Sequence, residues 1–410
     1  MRSGITNNYK NVKCYFVVAL ILFLFFIPKQ ITYTYATENT QQENTDIQQD
    51  LQQNISNTLD DLDLSQIEQY FYDNQEYYNN VFGVADYKEF LYMLINGEIL
   101  TDFGSVFNAI ITSIKEHVMV ILSPLLLILV IILISVVFKS IRPKINASSV
   151  SEAVFFICFA VIVSILIMLF ASVLKSVSDS VTQMQNQMNS IFPVLLLLMS
   201  TAGGVASVKA YQPLVLLLSN MVSNVFINIL LPIVIVIFVL SLVGNISPQT
   251  KVKNLTDFFS SAFKWVIGIM FTVYMAFMSI QGITASGADG ISIKTAKYAI
   301  RNYIPMLGGY ISEGFEVARV GANIIKNAVG FSGIIIIILT ILSPIILVGV
   351  LQLSLKLVSG LVEPLSDTRA TNLLTASSKS LSLLMVVVIG VAIMYFVIIF
   401  LLMCSVSGVV

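Results

Sequence analysis

The sequence predicts an all-α, polytopic membrane protein, and three features carry that prediction. Of the 410 residues, 57% are hydrophobic and 11% are charged, a composition typical of multi-pass membrane proteins. Apolar stretches of about 20 residues, long enough to cross a bilayer core, recur along the chain. Prolines recur with them at a nearly constant spacing. The six qualifying stretches are residues 118–138, 153–174, 225–243, 264–283, 331–351 and 382–403.

The proline spacing indicates an internal repeat. Pro124, Pro232 and Pro344 each lie near the start of an apolar run and are 108 and then 112 residues apart. Pro193 and Pro305 are also 112 residues apart. Self-similarity at a fixed period points to about 2.5 copies of one structural unit. Because each unit contains two spans, successive copies keep the same orientation and are parallel repeats.

Two further stretches, residues 193–218 and 305–330, correspond to each other in this repeat. The second is too polar to span a bilayer, so we expect both to form interfacial or re-entrant helix pairs on the outer side. The alternative counts residues 193–208 as a full span, which gives seven or eight spans. That alternative would move Lys251 and Lys253 to the exterior.

The first 36 residues have the features of a signal peptide. Three basic residues precede a short apolar run, Tyr15 to Ile27, that is too short to span comfortably. Thr34 and Ala36 supply the small residues that a signal peptidase requires. We expect cleavage after about Ala36, with an uncleaved anchor as the alternative. In both cases the following segment is exported.

The exported segment and the membrane region differ strongly in charge. Residues 37–117 carry 15 acidic and two basic side chains, whereas residues 118–410 carry 16 basic and eight acidic ones. Residues 37–58 are polar with few apolar side chains, so we expect a disordered spacer. Apolar residues with helical spacing then return, which predicts a small acidic helical head outside the cytoplasm over residues 59–117. Residues 118–410 form the multi-pass domain.

The distribution of basic residues favours one orientation. With the head exported, the loops 139–152, 244–263 and 357–381 face the cytoplasm, and each carries lysine or arginine. This agrees with the bias of basic residues toward cytoplasmic loops. Residues 284–330 carry a net charge of +2 yet fall outside, which is the one disagreement with that bias.

The sequence contains no motif that would support catalysis. It has no phosphate-binding GxxxxGK[ST] loop, no GxSxG nucleophile motif, and a single histidine, His117, at the start of the first span. No cysteine, histidine and carboxylate pattern has metal-ligand spacing. We therefore predict no catalytic residue, no cofactor and no metal site. The near absence of ionisable residues from the spans argues against an ion-driven transporter.

One row of uncharged polar residues is the candidate functional site. Asn220, Asn224 and Asn228 follow one another at four-residue spacing, which places the three amides on one helix face. Such a face must turn toward another helix or toward water. Helix–helix contact within the protein is one interpretation, and a pore face or a seam between subunits is the other.

Several short motifs follow one another in order from about Leu91 to the end of the chain. They are Leu94-Ile95-Asn96-Gly97-Glu98 with Asp102, Phe192-Pro193, Leu198-Met199-Ser200-Thr201-Ala202-Gly203-Gly204, Gln212-Pro213, Ala288-Asp289-Gly290, Lys297-Tyr298, Ile304-Pro305, Gly308-Gly309, Lys326-Asn327-Ala328-Val329-Gly330, and Glu363-Pro364 with Asp367 and Arg369. In this order they resemble the stage III sporulation protein AE family of endospore-forming bacteria. The residues before Leu91 show no such resemblance.

The resemblance implies a role that composition does not. Members of that family are polytopic proteins of the mother-cell membrane, in a secretion-like complex that connects the mother cell with the engulfed forespore. The complex has a separate cytoplasmic ATPase, ring-forming proteins and a forespore-side partner, and it supports late forespore gene expression. The resemblance thus implies a non-enzymatic membrane subunit with protein partners and no nucleic acid. A self-contained permease for a small solute is the alternative that the residues themselves leave open.

Overall fold

The computed structural model describes residues 43–73, 75–98, 103–145, 148–246, 252–303, 308–364 and 368–405. Its helices are α1 Glu43–Asp61, α2 Ser65–Tyr72, α3 Gln75–Phe82, α4 Tyr87–Asn96, α5 Phe103–Ile145, α6 Ser148–Thr201, α7 Val205–Val225, a π-helical segment Phe226–Leu230, α8 Leu231–Ile246, α9 Lys253–Tyr303, α10 Gly308–Val362 and α11 Thr368–Cys404. No strand occurs among these described residues, which confirms the all-α prediction. The signal peptide predicted over residues 1–36 lies outside them.

Within the described residues, six helical stretches are long and apolar enough to cross a membrane, which confirms a polytopic membrane protein. Each of them overlaps one of the six stretches predicted from the sequence. They are Ile114–Val137, Phe156–Thr201, Val205–Asn245, Lys253–Ser279, Gly314–Val362 and Thr368–Cys404.

Three helices are much longer than a bilayer requires. Helices α6, α9 and α10 contain 54, 51 and 55 residues. At a rise of about 1.5 Å per residue they are roughly 75–80 Å long, whereas a hydrocarbon core is about 30 Å thick. They therefore extend well beyond the bilayer, and the short predicted spans are sections of longer rods.

Helices α10 and α11 run antiparallel along most of their length. At one end the ammonium group of Lys326 donates a hydrogen bond to the carbonyl of Ser405, and in the middle Ser378 donates to the carbonyl of Gln352. At the other end Ser359 contacts Thr371, with its hydroxyl 3.1 Å from the carbonyl oxygen. Residue numbers rise on one helix as they fall on the other, which fixes the opposite directions.

Helix α11 is the central helix of the bundle. Most of its side chains from Ala370 to Met403 are buried, and it packs on α6, α8 and α10. A glycine lets α11 approach the π-helical segment closely, since a Cβ at Gly390 would lie 3.0 Å from the ring of Phe226. By contrast α5 exposes many apolar side chains, as a lipid-facing helix does in a membrane protein.

The small N-terminal helices have an aromatic core. Phe71 stacks on Tyr78 with ring centroids 4.1 Å apart, and Phe90 packs against both rings. The acidic residues of these helices, among them Asp60 and Asp73, lie on the exposed side. This arrangement buries apolar surface in a segment that is too short for a larger core.

The same helices pack against the C-terminal part of α6 and the N-terminal half of α10. The hydroxyl of Tyr87 lies 2.7 Å from that of Ser332 in α10, and Ser190 of α6 donates a hydrogen bond of 3.0 Å to Gln66. Burial raises the pKa of Tyr87 above its ordinary value, so the hydroxyl stays protonated. Residues 50–410 accordingly form one compact unit.

Part of the predicted disordered spacer is helical. Residues 43–58 belong to α1, whose side chains at Ile55 and Leu59 are buried. The sparse apolar side chains are spaced so that they share one helix face, and neighbouring elements cover that face. Composition alone missed this because it counts apolar residues without their spacing.

The stretch 193–218 forms a helical hairpin that is continuous with the spans. Helix α6 runs past Pro193 to Thr201, the chain turns at Gly203 with a positive φ of 92°, and α7 begins at Val205. For the corresponding stretch 305–330, the structure describes residues 308–330 as the start of α10. Both stretches are continuous with the long helices, and their placement as interfacial or re-entrant helix pairs on the outer side stays a prediction.

Candidate functional site

The three predicted asparagines lie on the outer surface of the bundle and form a ladder. Asn220 and Asn224 are in α7, Asn228 is in the π-helical segment, and all three side chains are exposed. Asn224 donates to the backbone carbonyl of Asn220 at 2.9 Å, and Asn228 donates to the side-chain oxygen of Asn224 at 3.1 Å. The structure therefore brings these residues together, as their spacing predicts, and leaves their outer side uncovered.

The ladder continues onto a second helix. The amide of Gln185 in α6 donates a hydrogen bond of 2.8 Å to the side-chain oxygen of Asn220, whose own amide donates to the carbonyl of Leu216. An asparagine amide has two hydrogens, and these bonds use one from each asparagine. The second hydrogens and the side-chain oxygen of Asn228 face outward and can bind another polar group.

The π-helical segment lies beside the end of the ladder. The amide of Leu231 donates to the carbonyl of Phe226, five residues earlier, in place of the usual four. Pro232 follows, and it has no amide hydrogen to contribute to the backbone bonding of this turn. π-Helical turns of this kind are frequent at functional sites, and here the turn carries the exposed amide of Asn228.

The inner face of α7 is polar too, but it is fully covered. The hydroxyl of Ser223 lies 2.7 Å from that of Tyr395 in α11, and Tyr395 also donates to the carbonyl of Ser219 at 3.2 Å. Tyr274 of α9 donates to the carbonyl of Met394 next to it. These contacts hold α7 against the central helix and leave the amides on the opposite side.

A second polar contact crosses the bundle at about the level of the ladder. The amide of Gln187 in α6 donates a hydrogen bond of 2.7 Å to the hydroxyl of Thr340 in α10. One turn further along α10, Ser343 lies 3.3 Å from the ring nitrogen of His117 in α5. The single histidine at the start of the first predicted span thus contributes to the contact between α5 and α10.

The repeat-defining prolines are not brought together. Pro124 is half-buried in α5, Pro344 is buried in α10, and Pro193 and Pro232 are exposed in α6 and α8. Pro305 lies outside the described residues. The four described prolines lie in different helices and have different surroundings. Their role as markers of a repeat stays a prediction.

Sequence reasoning missed two features of this region. Lys326 is fully buried, and its bond to Ser405 satisfies a carbonyl at the C-terminal end of α11. Asp179 and Gln183 of α6 lie exposed near the ladder, at the four-residue spacing that revealed the asparagines. The four-residue spacing of Asp179 and Gln183 in α6 could have been found in the sequence, whereas the burial of Lys326 could not. Within the described residues, no group of three or more His, Cys, Asp or Glu side chains could hold a metal ion.

Comparison with known proteins gives one consistent result. The family model described as Stage III sporulation protein AE matches residues 85–406. A Stage III sporulation protein AE from Bacillus subtilis (strain 168) is 28% identical over 207 residues, which are 50% of this chain and 52% of that protein. The chain thus aligns with about half the length of this curated relative. No solved structure matches.

Proposed function

Because the chain belongs to the stage III sporulation protein AE family, we propose that it is a non-enzymatic membrane subunit of a secretion-like channel complex. This complex links the mother cell and the forespore during endospore formation and supports late forespore development. Family membership implies the role in sporulation and other sporulation proteins as partners. The partners proposed here are ring-forming stage III proteins and a separate cytoplasmic ATPase.

The position of the amide ladder on the outside of the bundle is the observation that favours a subunit of an assembly over a self-contained permease. A self-contained permease needs its polar solute path inside its own bundle. Here Asn220, Asn224 and Asn228 face outward, while the central helix α11 is packed mainly with apolar side chains. A polar face on the outside of apolar helices must be completed by another chain or by water held between chains.

The proposed location is the mother-cell membrane, with the acidic head on the side that faces the forespore. The head packs on the same half of the bundle as the hairpin at Gly203, and the C-terminal ends of α5, α8 and α10 lie at the other end. Basic residues such as Lys253 and Arg369 stand at the start of the helices that begin at that other end, and the bias of cytoplasmic loops favours them on the inside.

Affinity purification tests the proposed assembly. The tagged full chain, purified from sporulating cells of its own organism, should retain the ring-forming proteins and the secretion-type ATPase. The control is an unrelated tagged multi-pass protein from the same cells. Transport of a solute by the purified chain alone in liposomes, without those partners, would establish the permease instead.

Cysteine labelling tests the orientation. After Cys14, Cys158 and Cys404 are replaced by alanine, Asn57→Cys in the head should react with a membrane-impermeant thiol reagent in intact cells. The matched variant Lys253→Cys at the far end should react only after lysis. The opposite pattern would reverse the proposed orientation while leaving the sporulation role intact.

A further inference from the structure

Helix α6 carries a second polar row on the same side of the molecule as the amide ladder. Its members are exposed and separated by four or three residues, so they share one face of the helix. They are Lys175, Asp179, Gln183, Asn186 and Asn189. The large exposed side chains before this row, Ile167 and Met168, are apolar. The polar row is therefore a local feature of α6 and not a continuation of its lipid-facing surface.

The two rows form one continuous face. The hydrogen bond from Gln185 to Asn220 joins α6 to α7 at the same level, and the two helices are antiparallel neighbours. From Lys175 to Asn189 the face extends over roughly 20 Å at about 1.5 Å per residue. Leu217, with 69% of its surface exposed, lies near the Asn189 end of this face.

We propose that this face of α6 and α7 is the contact between two copies of the chain. Amide side chains both donate and accept hydrogen bonds, so a surface of asparagine and glutamine is complementary to itself. Lys175 and Asp179 have opposite charges, and the face therefore has no net sign that would select a basic or an acidic partner. Leu217 supplies the apolar contact that such an interface also requires.

Membrane geometry determines how the copies meet. Two copies inserted in the same direction are related by a two-fold axis along the membrane normal, so residues at the same level face each other. Since α6 and α7 are at one level, α6 of each copy then packs against α7 of the other. Asn189 lies at about the level of Leu217, because Gln185 pairs with Asn220 and the helices are antiparallel.

The inference deepens the proposed function, since it rests on the chain being a subunit of a membrane assembly. Other occupants fit the face less well. Lipid chains would leave the second amide hydrogens of the exposed asparagines without a partner, which is costly in hydrocarbon. A partner with a strong charge of one sign would meet both Lys175 and Asp179.

Disulfide crosslinking between two differently tagged full-length copies tests the contact. Both copies have alanine at the native cysteine positions; one carries Asn189→Cys and the other Leu217→Cys, which leaves the amide ladder intact. They are produced together in a non-sporulating bacterium, and the membranes are treated with a mild oxidant. We expect a covalent dimer that contains both tags. Should this pair fail to accumulate, Gln183→Cys with Asn224→Cys probes the same contact.

The control pair is Met168→Cys with Leu353→Cys, on exposed apolar surfaces that are 75% and 68% exposed. Equal crosslinking of the control pair, or no crosslink from copies that accumulate in the membrane, would overturn the proposal. So would crosslinking of Leu217→Cys only to a different protein in sporulating cells. A dimer that forms although no sporulation partner co-purifies would uphold this contact and reject the proposed complex, so the two failures are distinguishable.

Discussion

The two faces of α7 are both polar, yet they serve different purposes. The inner face presents Ser219 and Ser223, which are buried against Tyr395 of the central helix. The outer face presents Asn220 and Asn224, which are exposed and bonded within the ladder. Adjacent residues in the sequence thus point to different sides of one helix: the inner side contacts the central helix, and the outer side reaches another helix through Gln185.

This difference separates stability from interaction. The hydroxyl of Ser223 and the backbone carbonyl of Ser219 both bond Tyr395 on another helix, so loss of these bonds weakens the fold of the single chain. The outer amides bond mainly to their own helix and to Gln185, and those bonds form whether or not a second chain is present. We therefore expect inner substitutions to lower the amount of folded protein and outer ones to affect assembly.

The largest expected effect comes from filling the close contact between α11 and the π-helical segment. Gly390→Leu would press against the ring of Phe226, since a Cβ there already lies within 3.0 Å of it. Overpacking of this kind costs about 1–3 kcal/mol, and more for a bulky residue. We expect strongly reduced accumulation in membranes by immunoblot.

Gly349→Leu in α10 is the matched control, because no atom lies within 4 Å of a Cβ built there. It should accumulate as the wild-type chain does. Equal loss for both variants would show that leucine disturbs these helices regardless of the contact at Phe226.

A smaller effect is expected from the inner hydrogen bond. Tyr395→Phe removes the bonds to the hydroxyl of Ser223 and to the carbonyl of Ser219 while keeping the ring that packs in the core. Interhelical hydrogen bonds in membranes contribute about 0.6 kcal/mol on average and about 1.7 kcal/mol at most. The purified variant should lose its fold in detergent at a slightly lower temperature, and Tyr92→Phe in the head should not. An unchanged midpoint for Tyr395→Phe would mean that the inner face is held by packing alone.

The smallest effect on abundance is expected from the outer face. The triple variant with Asn220, Asn224 and Asn228 replaced by leucine should accumulate normally, because leucine at an exposed position leaves no buried partner unpaired. We expect it to fail in heat-resistant spore formation, since the face no longer presents its amides. A fall in abundance would instead assign the ladder to packing within the chain. Normal abundance with normal spore formation would leave the ladder without either role.

Much of the fold could be predicted from local pattern. Long apolar runs gave the spans because a bilayer accepts little else, and the four-residue spacing of Asn220, Asn224 and Asn228 placed them on one face. The same reasoning missed the helix α1, where composition concealed helical spacing, and it did not show that the spans near Gly203 continue into longer helices. Hydropathy finds the apolar part of a helix but does not show where the helix ends.

The sequence by itself determined the class of the protein, its six apolar helices, and the alignment of three asparagines along one stripe. Only the tertiary structure decided that this stripe faces outward while Ser223 faces Tyr395, and that Gln185 extends the stripe onto α6. Helical periodicity is a local property that depends on the spacing of residues along the chain. The direction in which a face turns depends on which other helices cover it, and in this protein α11, nearly 200 residues away in the chain, covers the inner side.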